Sequence, residues 1–248
     1  TETYGAKLVW DFAPDWSLTA EHRSTQNARQ YLQPALYANA AGDYTATVTR
    51  YNNLFKGEQS QLMANGEIET GFIRHELTAG ISLSKVSDAY SAPLYQKAVL
   101  GSGNLADPVM FDQPAGLNVL GFSTPTDEYN LNRRREVFAS DTLHIGDSFD
   151  VVMGVRHGRI KNEINGYETS EPTPSVAAVF RPVPWLSTYA SYVEALEEGS
   201  IAGGNYANAG QVFAPFVSKQ VEVGAKAVRG DWSAELAVFR LERALTYV

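Results

Sequence analysis

Two hundred and forty-eight residues, 44% hydrophobic and 19% charged, suffice for one or two soluble domains or one large all-β unit, and exclude a disordered tail. Twenty-eight acids against 20 bases leave a net charge of −8 with no long basic run, which argues against nucleic acid as a partner. Cysteine is absent, excluding disulfide frameworks and thiol nucleophiles, and the longest apolar run, Val176 to Phe180, falls far short of the roughly 20 residues of a membrane-spanning helix.

The chain enters patterned sequence at Tyr4 without a signal-peptide-like opening, as expected of a mature or trimmed segment. Ala6, Leu8, Trp10 and Phe12 alternate with Gly5, Lys7, Val9 and Asp11, and after Ala13-Pro14-Asp15 the alternation resumes with Trp16, Leu18, Ala20 and His22 against Ser17, Thr19, Glu21 and Arg23. Period two with turn residues between predicts strand, reversal, strand. Leu62, Ala64, Gly66 and Ile68 repeat the pattern, followed by Ile73, His75, Leu77, Ala79, Ile81 and Leu83. Four segments come next: Arg133 to Ile145, Phe149 to Glu163, Thr173 to Arg181 and Trp185 to Leu196. Asp141 falls on the Val137 and Leu143 face and blurs the first of them. Val221, Val223, Ala225 and Ala227, then Trp232, Ala234, Leu236 and Val238, complete a set of ten strands.

Short reversals near Pro14, Gly71, Gly146, Pro182 to Pro184 and Gly230 alternate with long connections. The long ones are expected over about Thr25 to Glu58, Ser87 to Asn132, Ile164 to Pro172 and Glu197 to Val217. Asp43 to Tyr51 (DYTATVTRY) also reads as a strand, either a hairpin arm in an outer loop or the far end of the strand near Gln59. A 46-residue connection such as Ser87 to Asn132 is foreign to a compact soluble domain but normal at one rim of a transmembrane β-barrel. Two-faced strands inside lipid must close on themselves, because every backbone donor and acceptor there needs a partner. All four tryptophans, Trp10, Trp16, Trp185 and Trp232, lie near short reversals, as in an interfacial aromatic girdle. The fold class expected is all-β, an antiparallel transmembrane barrel; a soluble β-sandwich with Trp in its core is the alternative.

Three stretches add a resemblance: Phe138 to Arg156 (FASDTLHIGDSFDVVMGVR), Thr173 to Leu196 (TPSVAAVFRPVPWLSTYASYVEAL) and Phe213 to Thr246, with its SKQVEVGAK strand and AVFR strand. They resemble the barrel hairpins of TonB-dependent siderophore receptors, over about Arg133 to Val248 in wording and before that in pattern. Ser140 stands where that family usually has Gln, and Ala195-Leu196 replace a usual Ser-Phe. The resemblance implies a 22-stranded barrel in the outer membrane of a Gram-negative bacterium, filled by an N-terminal plug. It implies a receptor that binds a ferric siderophore, hydroxamate types slightly favoured, and imports it with energy from TonB. Residues 1–248 show about ten of those strands and no plug-like stretch, so an internal barrel fragment is expected, with the TonB complex acting through the missing plug. A passive porin-like channel remains the other membrane reading.

No enzyme is expected, since His22, His75, His144 and His157 are scattered and no catalytic motif occurs. No cofactor or protein-held metal is expected either, the iron arriving chelated by the siderophore. The aromatics of the long connections are the ligand candidates: Tyr37, Tyr90, Tyr95, Phe111, Phe122, Tyr129, Tyr206 and Phe213, whose rings and hydroxyls suit an amphipathic ligand, or alternatively pack the loops. Arg133, with Arg134 and Arg135, forms the one basic cluster, suited to an anionic chelate or to lipopolysaccharide, or simply solvated at the rim. Strand parity assigns Glu21, Arg23, Glu67, Arg74, Glu76, Glu222 and Lys226 to the lumen lining. The Arg229-Gly230-Asp231 triplet reads as a tight turn rather than an adhesion motif.

Overall fold

A computed structural model of the chain describes residues 1–112, 127–197, 199, 202, 208–211, 213 and 216–243, with the backbone alone for 91–96 and 127. Among these residues ten strands form one antiparallel sheet in sequence order: β1 (Glu2–Ala13), β2 (Trp16–Ala38), β3 (Asp43–Thr70), β4 (Ile73–Asn104), β5 (Asp127–Ile145), β6 (Phe149–Asn162), β7 (Glu168–Val183), β8 (Leu186–Glu197), β9 (Phe216–Arg229) and β10 (Trp232–Glu242). Each strand pairs with its sequence neighbours, the topology in which every second connection can be a tight reversal. Gly146 and Gly230 hold φ of 60° and 59° in two of those reversals, a region that costs glycine nothing and an L side chain much. Between β7 and β8 the register slips from Phe180 to Val183, where Pro182 has no N–H to give to the ladder.

The long connections are shorter than period two suggested, because five strands, β2, β3, β4, β5 and β7, run on through them. Residues 39–42 suffice to join β2 to β3, so Asp43 to Tyr51 is the far end of the strand near Gln59. Likewise β4 continues to Asn104, β5 starts at Asp127 and β7 starts at Glu168. Apart from Asp43 to Tyr51, whose alternation is legible, these extensions mix polar and apolar residues on both faces, which hides period two without preventing backbone pairing.

The chain divides into two compact units, one of Thr1–Tyr4, Ser24–Glu58 and Lys85–Leu131, the other of Gly5–Arg23, Gln59–Ser84 and Asn132–Val248. The first has a small core in which Tyr44, Ala46, Val48 and Leu54 are buried. The second keeps its apolar stripe exposed: Leu236 and Val238 of β10 are 71% and 65% accessible. Register shows the stripe to be continuous, with Val238 opposite Val223, Val223 opposite Ala190, Ala178 opposite Ala190 and Val151 opposite Ala178. A soluble sandwich would bury such a face; an exposed one calls for hydrocarbon.

Asp141 does lie on this apolar face, opposite Met153. It is partnered there by His75 of β4, whose Nδ1 stands 2.8 Å from Asp141 Oδ2, so two adjacent strands break their alternation together. Glycines let aromatic rings lie flat on the sheet. The ring of Trp16 occupies the space above Gly66, Phe138 that above Gly80, and Tyr189 that above its direct partner Gly224, where an added Cβ would sit 2.2, 2.7 and 2.5 Å from the ring.

Candidate functional site

The second unit carries a linked set of charged side chains on the opposite, polar face. Near the short reversals, Arg74 Nη1 donates to Glu76 Oε1 at 2.7 Å and to Glu67 Oε2 at 3.2 Å. His144 stands between two carboxylates, its Nε2 2.9 Å from Glu76 Oε1 and its Nδ1 2.8 Å from Asp150 Oδ1. Arg181 bonds the other oxygen of Asp150. Six side chains from β3 to β7 therefore form one continuous polar chain across the wall. Farther along the strands, Glu136 accepts from Arg156 at 2.9 Å, and the Arg156 guanidinium lies 5.4 Å from the Phe138 ring centre. These groups, with Arg134, Gly154, Gly158 and Ser175, line a groove. On β8 to β10, Tyr189 donates to Glu222 Oε1 at 2.7 Å, Gln220 to Glu222 Oε2 at 3.1 Å, and Lys226 pairs with Glu235 at 2.8 Å.

Of the residues assigned to the lining by parity, Glu67, Arg74 and Glu76 are thus brought into contact, Glu222 and Lys226 flank Tyr189, and Arg23 meets Glu21 at 3.6 Å. His144, Asp150, Arg181 and Tyr189 join them. Sequence inspection treated the histidines as scattered because their partners lie on neighbouring strands, a relation that strand spacing alone does not reveal.

In the first unit the rings meet in pairs. Tyr31 stacks on Tyr51 with centroids 5.1 Å apart, and Tyr90 on Tyr129 with centroids 4.0 Å apart. The Tyr129 hydroxyl is pushed up to about 12, first by withdrawal from water, then by its hydrogen bond with Tyr90 and the Asp88 carboxylate nearby. Asn130 in turn donates to Asp88 at 3.0 Å, and Gln30 to Asn52 at 2.7 Å. Tyr37 lies under the Lys97 ammonium, 4.9 Å from its ring centre. Phe111 sits edge-on to Tyr44, whose hydroxyl accepts from the Val109 amide at 3.0 Å. At the β2–β3 turn, hydrogen bonds from Asn104 and Asn39 hold the Asp43 carboxyl below its usual range.

Tyr90 and Tyr129 are therefore brought together, while Tyr37 and Phe111 occupy separate contacts. Phe213 is half-buried in the second unit, and the Tyr95 side chain, Phe122 and Tyr206 lie outside the described residues. Arg133 bonds Glu163 at 2.7 Å and shares the parity of Val137 and Leu143, the apolar face. Tyr51, absent from the candidates, closes the alternating run DYTATVTRY, so the signal was present once that run is taken as strand.

Residues 1–244 match the family model described as "TonB dependent receptor-like, beta-barrel". The chain is similar to the ferrichrome receptor FcuA of Yersinia enterocolitica, at 24% identity over 97% of this chain and 34% of that protein. It therefore spans about a third of the length of this curated relative. Among solved structures it is similar to BauA, the ferric preacinetobactin receptor of Acinetobacter baumannii, with TM-score 0.72 and 21% identity over 96% of this chain and 37% of that one. The ferric-catecholate import receptor Fiu of E. coli K12 gives TM-score 0.72 and 15% identity, over 97% of this chain and 40% of that one. Two-faced strands, an exposed apolar stripe and these matches converge: the chain belongs to the TonB-dependent receptor family of the Gram-negative outer membrane, as part of its antiparallel transmembrane β-barrel.

Proposed function

We propose that this chain supplies part of the wall and outer vestibule of a receptor that binds a ferric siderophore and admits it with energy from TonB. The observations that carry this reading are a polar, charge-linked face on the strands of the second unit and, in the first unit, tyrosine pairs accompanied by amide side chains. Stacked rings offer apolar area and phenol hydroxyls to an amphipathic organic shell, so no protein ligand to iron is needed. Tyr90, Tyr129, Tyr37 and Phe111, with Tyr31 and Tyr51, are the contacts proposed; Tyr95, Phe122, Tyr206 and Phe213 remain candidates from sequence. Glu67, Arg74, Glu76, Glu222 and Lys226 line the passage in this reading, with Glu21 and Arg23.

The test is uptake of radiolabelled iron by an iron-starved strain lacking its own receptors and expressing the full-length protein, offered hydroxamate, catecholate and mixed siderophores with and without TonB. Uptake of one class that disappears without TonB supports the proposal. Uptake that persists without TonB, accompanied by conductance in planar bilayers, replaces it with a passive channel.

A further inference from the structure

The histidine that breaks the alternation of β4 belongs to a longer polar line on the apolar side of the second unit. His75 Nδ1 stands 2.8 Å from Asp141 Oδ2, and His75 Nε2 stands 2.7 Å from Thr70 Oγ1. A carboxylate can only accept, so Nδ1 carries the ring proton and Nε2 takes the threonine hydroxyl as its donor. Hydroxyl, imidazole and carboxylate, on the adjacent strands β3, β4 and β5, thus stand in the order that activates an oxygen nucleophile. His22, which shares the parity of Leu18 and Ala20, offers a contrast: its Nδ1 lies 2.9 Å from Ser60 Oγ, and among the described residues no ion pair joins it to a carboxylate.

Stability does not account for this arrangement. Asp141 Oδ1 is buried without a hydrogen-bond partner among the described residues, a state that costs free energy and that an apolar residue at the same position would avoid. Ionisable groups at membrane depth are expensive and mark function. Thr70 is the last residue of β3, His75 the third of β4, and Asp141 lies four residues before the end of β5, all beside short reversals. At ~3.3 Å per residue and a tilt of ~45°, the line spans about the lowest 9 Å of the wall, the depth at which headgroups give way to acyl chains. Thr70 is exposed, and Ile68, Phe72 and Met153 expose apolar surface on which acyl chains can rest. Gly71, next to Thr70, has a φ of 65° and open space where a Cβ would lie, so the reversal leaves room for a substrate.

We propose that Thr70, His75 and Asp141 form an acyl-ester hydrolase site for glycerophospholipids of the adjoining leaflet, with Thr70 as nucleophile, His75 as general base and then acid, and Asp141 as the positioning residue. Thr70 Oγ1 attacks the ester carbonyl carbon while its proton passes to His75 Nε2. The amides of Gly71 and Phe72, the central residues of the reversal and outside both strands, receive the negative charge that develops on the carbonyl oxygen. The carbon–oxygen bond to glycerol then breaks, His75 returns the proton to the departing lysophospholipid, and the acyl group stays on Thr70. Water attacks that ester as it gives a proton to the same nitrogen, the fatty acid leaves, and the proton returns to Thr70. The activity is additional to the import proposed above and independent of what the receptor carries.

The full-length receptor, purified in mild detergent, would be incubated with mixed micelles of phosphatidylethanolamine, and fatty acid and lysophospholipid release followed by mass spectrometry. His75→Gln is expected to slow release at least about a hundredfold, the scale of a lost general base. Thr70→Ala should reduce it to the level of micelles without protein, while Thr70→Ser, which keeps the hydroxyl, should restore it. Asp141→Asn should lower kcat with KM nearly unchanged, as expected of a group that orients the imidazole rather than binding lipid. His22→Gln is expected to match the parent. A fluorophosphonate probe should label Thr70 in the parent and not in His75→Gln. Should His75→Gln fail to assemble, as judged by heat-modifiable mobility, Thr70→Ala and Thr70→Ser at the exposed rim supply the comparison. Release no faster than from Thr70→Ala, an equal loss with His22→Gln, or probe attached elsewhere than Thr70 would overturn the proposal.

Discussion

Replacing Gly224 by alanine probes the ring-on-glycine packing of β8 and β9. The added Cβ would lie 2.5 Å from Tyr189 Cζ and 2.6 Å from its hydroxyl oxygen, whereas non-bonded heavy atoms rest at about 3.5 Å or more. The ring must withdraw by about 1 Å, which carries the hydroxyl beyond hydrogen-bonding range of Glu222. That bond is now 2.7 Å long. Losing a bond to a half-exposed carboxylate costs about 1 to 1.5 kcal/mol, and the crowding about 1 kcal/mol more. The sum, about 2 kcal/mol, is roughly a thirtyfold change in the unfolding equilibrium. Urea unfolding of the full-length receptor in lipid vesicles, followed by tryptophan fluorescence, measures it. Tyr189→Phe should lose about 1 kcal/mol, the hydrogen bond alone. In a Tyr189→Ala background the Gly224→Ala cost should fall below about 0.5 kcal/mol, since no ring remains to displace. An equal cost with and without the ring, or no cost at all, would refute the packing argument.

Facing and ionisation yield two further expectations. Val223→Asp places a charge on the apolar stripe and is expected to block membrane assembly, whereas Glu222→Lys, one residue away on the polar face, should still yield heat-modifiable barrel; the reverse order would invert the assignment of faces. Tyr129 should be among the last tyrosines to ionise in an ultraviolet pH titration, near 12. Because its folded value is raised, its contribution to the first unit is complete below about 10, the ordinary tyrosine range, and is lost as pH climbs toward 12. An absorbance change completed by about pH 10 in the Tyr129-dependent difference spectrum would contradict the geometry that stacks it on Tyr90 beside Asp88.

Period two, the five reversals and the tryptophans near them were enough to derive ten strands and an outward apolar stripe, because each depends on side-chain alternation within a few consecutive residues. Family phrases such as SKQVEVGAK were legible for the same reason. Where polar and apolar residues mix on both faces the alternation vanishes, so the extensions of β2, β4 and β5 passed for loops until backbone pairing revealed them, and in that of β3 only Asp43 to Tyr51 read as strand. Partnership across strands depends on register, which no single strand encodes. Register accordingly decided that Asp141 meets His75, that His144 links Glu76 to Asp150, and that Arg135 faces Arg159 while Arg134 looks the other way. Local sequence sets which face of a strand is greasy; only assembled neighbours determine which charges confront one another across it.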